Sequence, residues 1–217
     1  MELREISMII MNKKNYSLIL IFLFLQCCSS FNSYSLAATK ARNILIGSPA
    51  KEVTKSEYEN FPYSFIKLKI GKSEDVIMSL VSITDGIFHW ISSDRISIYT
   101  LEGRVVRTDG LIHDISLVNL DALNSFNLQK DYLVFNYRYP ELYSVHHKFK
   151  LKSNENISFH YLEDSIEVSR LEFEVSIPLL NKKHNDVYYL SGGKVISSIQ
   201  KIHPMMPEFK LVFFYKT

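Results

Sequence analysis

The 217-residue sequence holds only two cysteines, adjacent at Cys27 and Cys28. A disulfide framework, a cysteine-ligated zinc site and a cysteine nucleophile in the body of the chain are therefore excluded. Tryptophan occurs once, at Trp90, against 13 tyrosines and 14 phenylalanines. The seven glycines are scattered, and neither a phosphate-cradling glycine motif nor a serine-nucleophile elbow occurs. Charge of one sign is also missing: Lys and Arg number 25, Asp and Glu 23, giving a net charge of +2. With no basic cluster, nothing points to nucleic acid as a partner. Long apolar runs are absent too. Leu18 to Leu25 is the longest, eight residues, or about 12 Å as a helix against a hydrocarbon core of roughly 30 Å.

That short run follows Lys13 and Lys14, and the pair of features reads as a secretory signal. Met11 offers an alternative start just before it. A signal-peptidase site at Ser35-Leu36-Ala37 lies awkwardly far from the apolar run. The sequence "LQCC" resembles a bacterial lipobox instead, with Leu25 at −3, Cys27 at −1 and Cys28 as the acceptor. The alternative is that both thiols are apolar filler in the signal. On the lipobox reading, residues 1–27 are the signal peptide and Cys28 is lipidated with three acyl chains, palmitate among them. Each buried CH₂ contributes about 0.8 kcal/mol, so several chains hold firmly where one would not. The mature chain then carries 22 basic and 21 acidic residues, close to neutral. Ser29, rather than Asp, follows the lipidated cysteine, which fits sorting to the outer membrane. Residues 28–40, small and polar, read as a tether, and 41–217 as one β-rich periplasmic domain.

Period-two patterns dominate from Phe61 onward. In "SFIKLKI", Ile66, Leu68 and Ile70 alternate with Lys67 and Lys69, the pattern of a half-buried strand. Asp85-Gly86 and Glu102-Gly103 lie between apolar runs and predict two-residue hairpins, and Gly192-Gly193 predicts a third. Further strands are expected at "YLVFNYRY", "SVHHKFKLK", "RLEFEVSI", "DVYYL", "KVISSIQKI" and "FKLVFFYK". The stretch "SLVNLDALNSFNL", residues 116–128, has leucines at helical spacing and predicts a short helix. So many strands in one domain imply a mainly β fold. An antiparallel, closed or nearly closed barrel-like sheet with at most short helices is expected, because closure removes exposed edges. Lysines alternating with apolar residues argue against a membrane-spanning barrel.

No constellation in the sequence carries chemistry unaided. His146-His147 resembles a metal pair, but neighbours on a strand point to opposite faces, so one packed and one exposed histidine is the expectation. His113-Asp114 reads as a polar turn at the end of the hairpin, with acid–base work as the lesser alternative. Trp90 could stack on a sugar or pack in the core beside Phe88. Asp94 with Arg95, then Arg104 and Arg107, form a charged patch near two hairpins, by default a solvated rim and second a ligand or partner contact. Asp94, Asp109 and Asp114 are the carboxylates a glycan-modifying enzyme would use. No cofactor and no metal are implied.

The stretch "HWISSDRISIYTLEGRVVRTDGL" resembles the YjbF/GfcB family of group 4 capsule and exopolysaccharide lipoproteins, through Trp90, Ser93, Asp94, Thr100, Gly103, Arg104, Val105, Val106, Thr108, Gly110 and Leu111. The C-terminal stretch "YYLSGGKVISSIQKIHPMMPEFKLVFF" adds Gly193, Val195, Ser198, Gln200 and Pro204. The resemblance implies a mainly β, barrel-like periplasmic domain working beside polysaccharide export proteins or on the glycan, with no catalytic residue. An outer-membrane accessory in capsule or exopolysaccharide assembly or secretion is the resulting expectation, with Trp90, Asp94, Arg104 and Arg107 as its candidate contacts. A polysaccharide-modifying enzyme and a purely structural lipoprotein are the alternatives.

Overall fold

The structure, a computed structural model, describes residues 52–118 and 132–216. The chain divides into two units, Met1–Gly47 and Ser48–Thr217, and the described residues all belong to the second. The signal region 1–27, Cys28 and the tether 28–40 lie outside them.

The described residues form a closed antiparallel barrel of twelve strands, each hydrogen-bonded to its neighbours in sequence, with the first strand closing on the last. In order these are β1 (Phe65–Ile70), β2 (Val76–Thr84), β3 (Ile87–Ser92), β4 (Ser97–Leu101), β5 (Arg104–Asp109) and β6 (Ile115–Leu117). They continue with β7 (Tyr132–Tyr137), β8 (Leu142–Tyr161), β9 (Asp164–Ile177), β10 (Lys182–Ser191), β11 (Lys194–Gln200) and β12 (Phe209–Phe214). A mainly β, closed barrel is thus what the alternation predicted. The expected hairpin turns form at Asp85-Gly86, Glu102-Gly103 and Gly192-Gly193, all with positive φ.

Side chains fill the interior. Trp90, Ile98, Tyr188, Phe209, Leu211 and Phe213 are each fully buried, and burying one such side chain contributes about 1.5–3 kcal/mol. The outer wall carries charges in pairs, such as Lys152 with the half-buried Glu172 at 3.4 Å and Lys183 with Glu174 at 3.3 Å. A mostly apolar lumen and a charged wall reverse the arrangement of a lipid-facing barrel.

Three elements differ from the sequence reading. Ser116 and Leu117 belong to strand β6, not to a helix, and the rest of 119–128 lies outside the described residues. The strands expected at "SVHHKFKLK" and "RLEFEVSI" are the bases of a much longer hairpin, β8 and β9, of 20 and 14 residues. Its turn, Leu162-Glu163, takes positive φ without glycine, so the usual turn signal is missing. Finally, a short helix α1 (Lys55–Asn60) precedes the barrel, started by a capping box between Thr54 and Glu57. The hairpin tip reaches the same end of the barrel: Tyr161 Oη donates to the Phe213 carbonyl at 2.7 Å, and Lys55 pairs with Asp164 at 2.8 Å.

Candidate functional site: an outer polar row over a buried lock

Of the four expected contact residues, two lie inside the barrel. Trp90 is fully buried, its Nε1 donating to Thr100 Oγ1 at 2.8 Å and its ring stacked on Phe88 at 5.7 Å. It therefore presents no face to a glycan. Arg104 is only 2% exposed. Its guanidinium lies 4.0 Å over the Phe149 ring, and its Nε donates to Tyr188 Oη at 3.1 Å. As surface contacts, Trp90 and Arg104 are corrected by this burial. Asp94 sits on the exposed turn between β3 and β4, and Arg107 is exposed on the outer wall.

The reason Arg104 turns inward lies in the end of the β4–β5 hairpin. A bulge displaces the register between Tyr99 and Thr100 opposite β5, and bulges bend the strand that carries them. Residues 103–106 are consecutively buried, so this hairpin end is covered on both faces. It packs across the lumen on β11. Gln200 Nε2 donates to the Gly103 carbonyl at 2.7 Å, Ser198 Oγ donates to the same oxygen at 3.2 Å, and the Val105 amide donates to Gln200 Oε1 at 3.0 Å. The two stretches that carried the family resemblance, some 95 residues apart, thus meet as an internal lock.

Around Arg104 the lumen is polar. His147, Asp186 and His203 are buried, and Tyr137 Oη bonds His147 Nε2. Desolvation by burial holds His147 down to about 3, with the positive charges of His184, Arg104 and His203 adding to it. Burial likewise lowers His184 and His203 to about 4 and raises Asp186 to about 6. Among the described residues no group of three His, Cys, Asp or Glu is placed to hold a metal. His146 is exposed and His147 packed, as strand alternation requires.

The outer wall holds the more accessible arrangement. Strand pairing aligns Ser82, His89, Tyr99, Arg107, Ser116 and Asn136 in one row across β2 to β7. With strands about 4.8 Å apart, five steps make a track of about 24 Å. The His89 ring stacks on Tyr99 at 4.3 Å, and the Arg107 guanidinium lies 5.0 Å from the Tyr99 ring centre. Arg107 also pairs with Asp109 at 2.9 Å. Two grooves flank this arginine. One, of about 320 Å³, runs over Ser82, His89 and Tyr99. The other, of about 390 Å³, runs over Asp109, Asn136, Arg138 and the exposed Tyr143. Arg107 and Ser116 line both. The sequence marks Arg107 as a charged rim residue but not the row it stands in, because register around a barrel is invisible without the pairings.

The other carboxylates are differently committed. Asp114 accepts from Thr108 Oγ1 at 2.8 Å and from the amides of Gly110 and Leu111 at 3.1 and 3.0 Å, tying the β5–β6 turn. His113 donates from Nδ1 to the Tyr139 carbonyl and stacks on His203 at 4.9 Å. Both residues are thus built into a turn, as the polar-turn reading expected.

Residues 38–213 match the family described as group 4 capsule polysaccharide lipoprotein gfcB, YjbF. The chain belongs to this family. Over 95 residues it is 28% identical to the uncharacterized lipoprotein YjbF of Escherichia coli (strain K12), an alignment covering 44% of each chain. The matched stretch therefore spans less than half of that relative. The crystal structure of the hypothetical lipoprotein YmcC from Escherichia coli (K12) shares the fold, with a TM-score of 0.60 at 15% identity, covering 77% of this chain and 91% of that one. This YjbF-family barrel buries Trp90, Arg104, Thr108, Ser198 and Gln200 and leaves Arg107 exposed on its outer wall.

Proposed function

We propose that this lipoprotein is anchored in the outer membrane through Cys28, faces the periplasm, and assists capsule or exopolysaccharide assembly or secretion by holding the glycan without altering it. The observation that carries the glycan reading is the outer row from Ser82 to Asn136, with its two grooves meeting at Arg107. Its side chains are planar or hydroxylic, and Arg107 is already oriented by Asp109 and Tyr99. Fixed donors and acceptors suit the paired hydroxyls of a sugar chain, since little entropy is lost on binding. Because Arg107 is paired with a carboxylate, the row favours hydroxyl-rich glycan over a strongly anionic one. The lipobox at Cys28 and the family membership support the location.

The test is complementation in a strain lacking the gene. Full-length wild-type protein is expected to restore surface polysaccharide; Tyr99→Ala with Arg107→Ala is expected to fail while reaching normal abundance. Fatty-acid labelling should be lost with Cys28→Ser and kept with Cys27→Ser, and the labelled protein should fractionate with the outer membrane. Unchanged surface polysaccharide on deleting the gene would sink the reading.

A further inference from the structure

A cavity of about 560 Å³, larger than either outer groove, lies beside α1 and the β1–β2 hairpin. Its floor is apolar. Phe65 is 2% exposed, Phe61 packs on it at 4.5 Å between ring centres, and Ile77 stands 41% exposed at the mouth. This volume lies in the range of sites that take small ligands or a few side chains.

The rim decides what kind of occupant fits. Glu52, Glu57, Glu74 and Asp75 line the cavity, against one cation, Lys67. Lys67 lies 3.3 Å from Asp75, both nearly buried, so its charge is offset there. Glu52 reaches His160 at 3.1 Å, and Glu57 is fixed by the capping box. Glu52, Glu57 and Glu74, the three carboxylates not offset by Lys67, repel an anionic lipid head group or an acyl carboxylate. They attract a chain that sets apolar side chains between lysines or arginines.

We propose that this cavity is a docking site for a partner protein, which inserts an apolar segment flanked by basic residues. It stands apart from the glycan row, whose residues it does not share, so either can fail alone. α1 is held firmly for such a role: Tyr58 Oη donates to the Tyr215 carbonyl at 2.7 Å, and Lys216 Nζ lies 3.8 Å over the Tyr58 ring.

The test uses the full-length chain in a neutral detergent. A fluorescein-labelled peptide with two leucines and a phenylalanine between paired lysines is titrated by anisotropy, with empty micelles as blank. A peptide with glutamates replacing the lysines is the control. The lysine peptide is expected to bind, and to weaken about tenfold with Glu52→Lys and Glu74→Lys together and again with rising salt. Ile77→Asp is expected to abolish binding at an unchanged melting temperature. Equal binding of both peptides, or indifference to all three substitutions, overturns the proposal. A photo-cross-linker at Ile77 in cells supplies the second reading. Cross-links to a Lys/Arg-flanked apolar segment of another protein support the site. Cross-links to residues 28–51 of the same chain, to lipid or to a second copy overturn it.

Discussion

Arg104 and Arg107 lie three residues apart on one strand and meet opposite surroundings. Arg104 is 2% exposed beneath Phe149 and Tyr188, whereas the Arg107 side chain is 55% exposed beside Tyr99 and Asp109. The bulge between them separates a strand that forms the barrel wall from a hairpin end that crosses its lumen. The lesson is that a basic patch in sequence need not be a patch in space. One arginine helps to hold the barrel together, and the other is available to a ligand.

The sharpest way to break the inner half is at Gly103. Its φ is +76°, and a Cβ there would come 2.4 Å from Val195 Cγ1. Backbone strain and the clash act together, so Gly103→Ala is expected to destabilise by about 3 kcal/mol or more. Gly192 has a similar φ of +55° but nothing within 4 Å of the added atom, so Gly192→Ala is expected to cost only about 1 kcal/mol. Urea unfolding of both variants measures the difference, and equal losses would refute the lock. Next in size is Arg104→Ala, expected to cost about 2–4 kcal/mol through lost packing on Phe149 and the lost hydrogen bond to Tyr188 Oη. Arg104→Met, which keeps the length without the charge, should recover most of that loss.

Acid separates the two halves more gently. His147, His184 and His203 titrate at about 3, 4 and 4 in the folded state, against 6.5 unfolded. A lowered folded value means that their contribution is complete above pH 6.5 and is lost as pH falls towards 4 and below. Asp186, raised to about 6 from 3.8, acts oppositely: its contribution is complete below pH 3.8 and gone above about 6. Three histidines outweigh one aspartate, so the melting temperature is expected to fall between pH 6.5 and pH 4. His203→Phe should flatten that fall. A melting temperature that rises over this interval would contradict the assignment of buried, neutral imidazoles.

The sequence disclosed whatever rests on local chemistry. Alternation at Ile66, Leu68 and Ile70 marked β1, and the glycine-containing turns marked three hairpins because type I′ geometry demands them. The tip of the β8–β9 hairpin escaped notice because Leu162 and Glu163 take the same backbone shape without the residues that favour it. The β5–β11 lock and the outer row rest on pairings distant in sequence. Nothing local to Gly103 reveals Gln200, and nothing local to Arg107 reveals Asn136. Of the candidate contacts, Arg107 was legible as an exposed cation, whereas the burial of Trp90 and Arg104 depends on what lies across the lumen.

The smallest structural effect is expected where the functional one is large. Arg107→Ala removes an exposed ion pair with Asp109 and a contact with Tyr99, together worth under about 1 kcal/mol. Its unfolding curve should therefore nearly overlay that of the wild type. The same change takes away the side chain that lines both outer grooves, and purified capsule polysaccharide should bind several-fold more weakly. Arg107→Lys keeps the charge but not the planar fork, so it should rescue little of that binding. If lysine restored binding in full, the row would be attracting charge rather than orienting hydroxyls, and the ligand would have to be an anionic glycan. If Arg107→Ala instead lowered stability as far as Arg104→Ala does, the distinction between a structural and a binding arginine would collapse, and the row would be part of the framework.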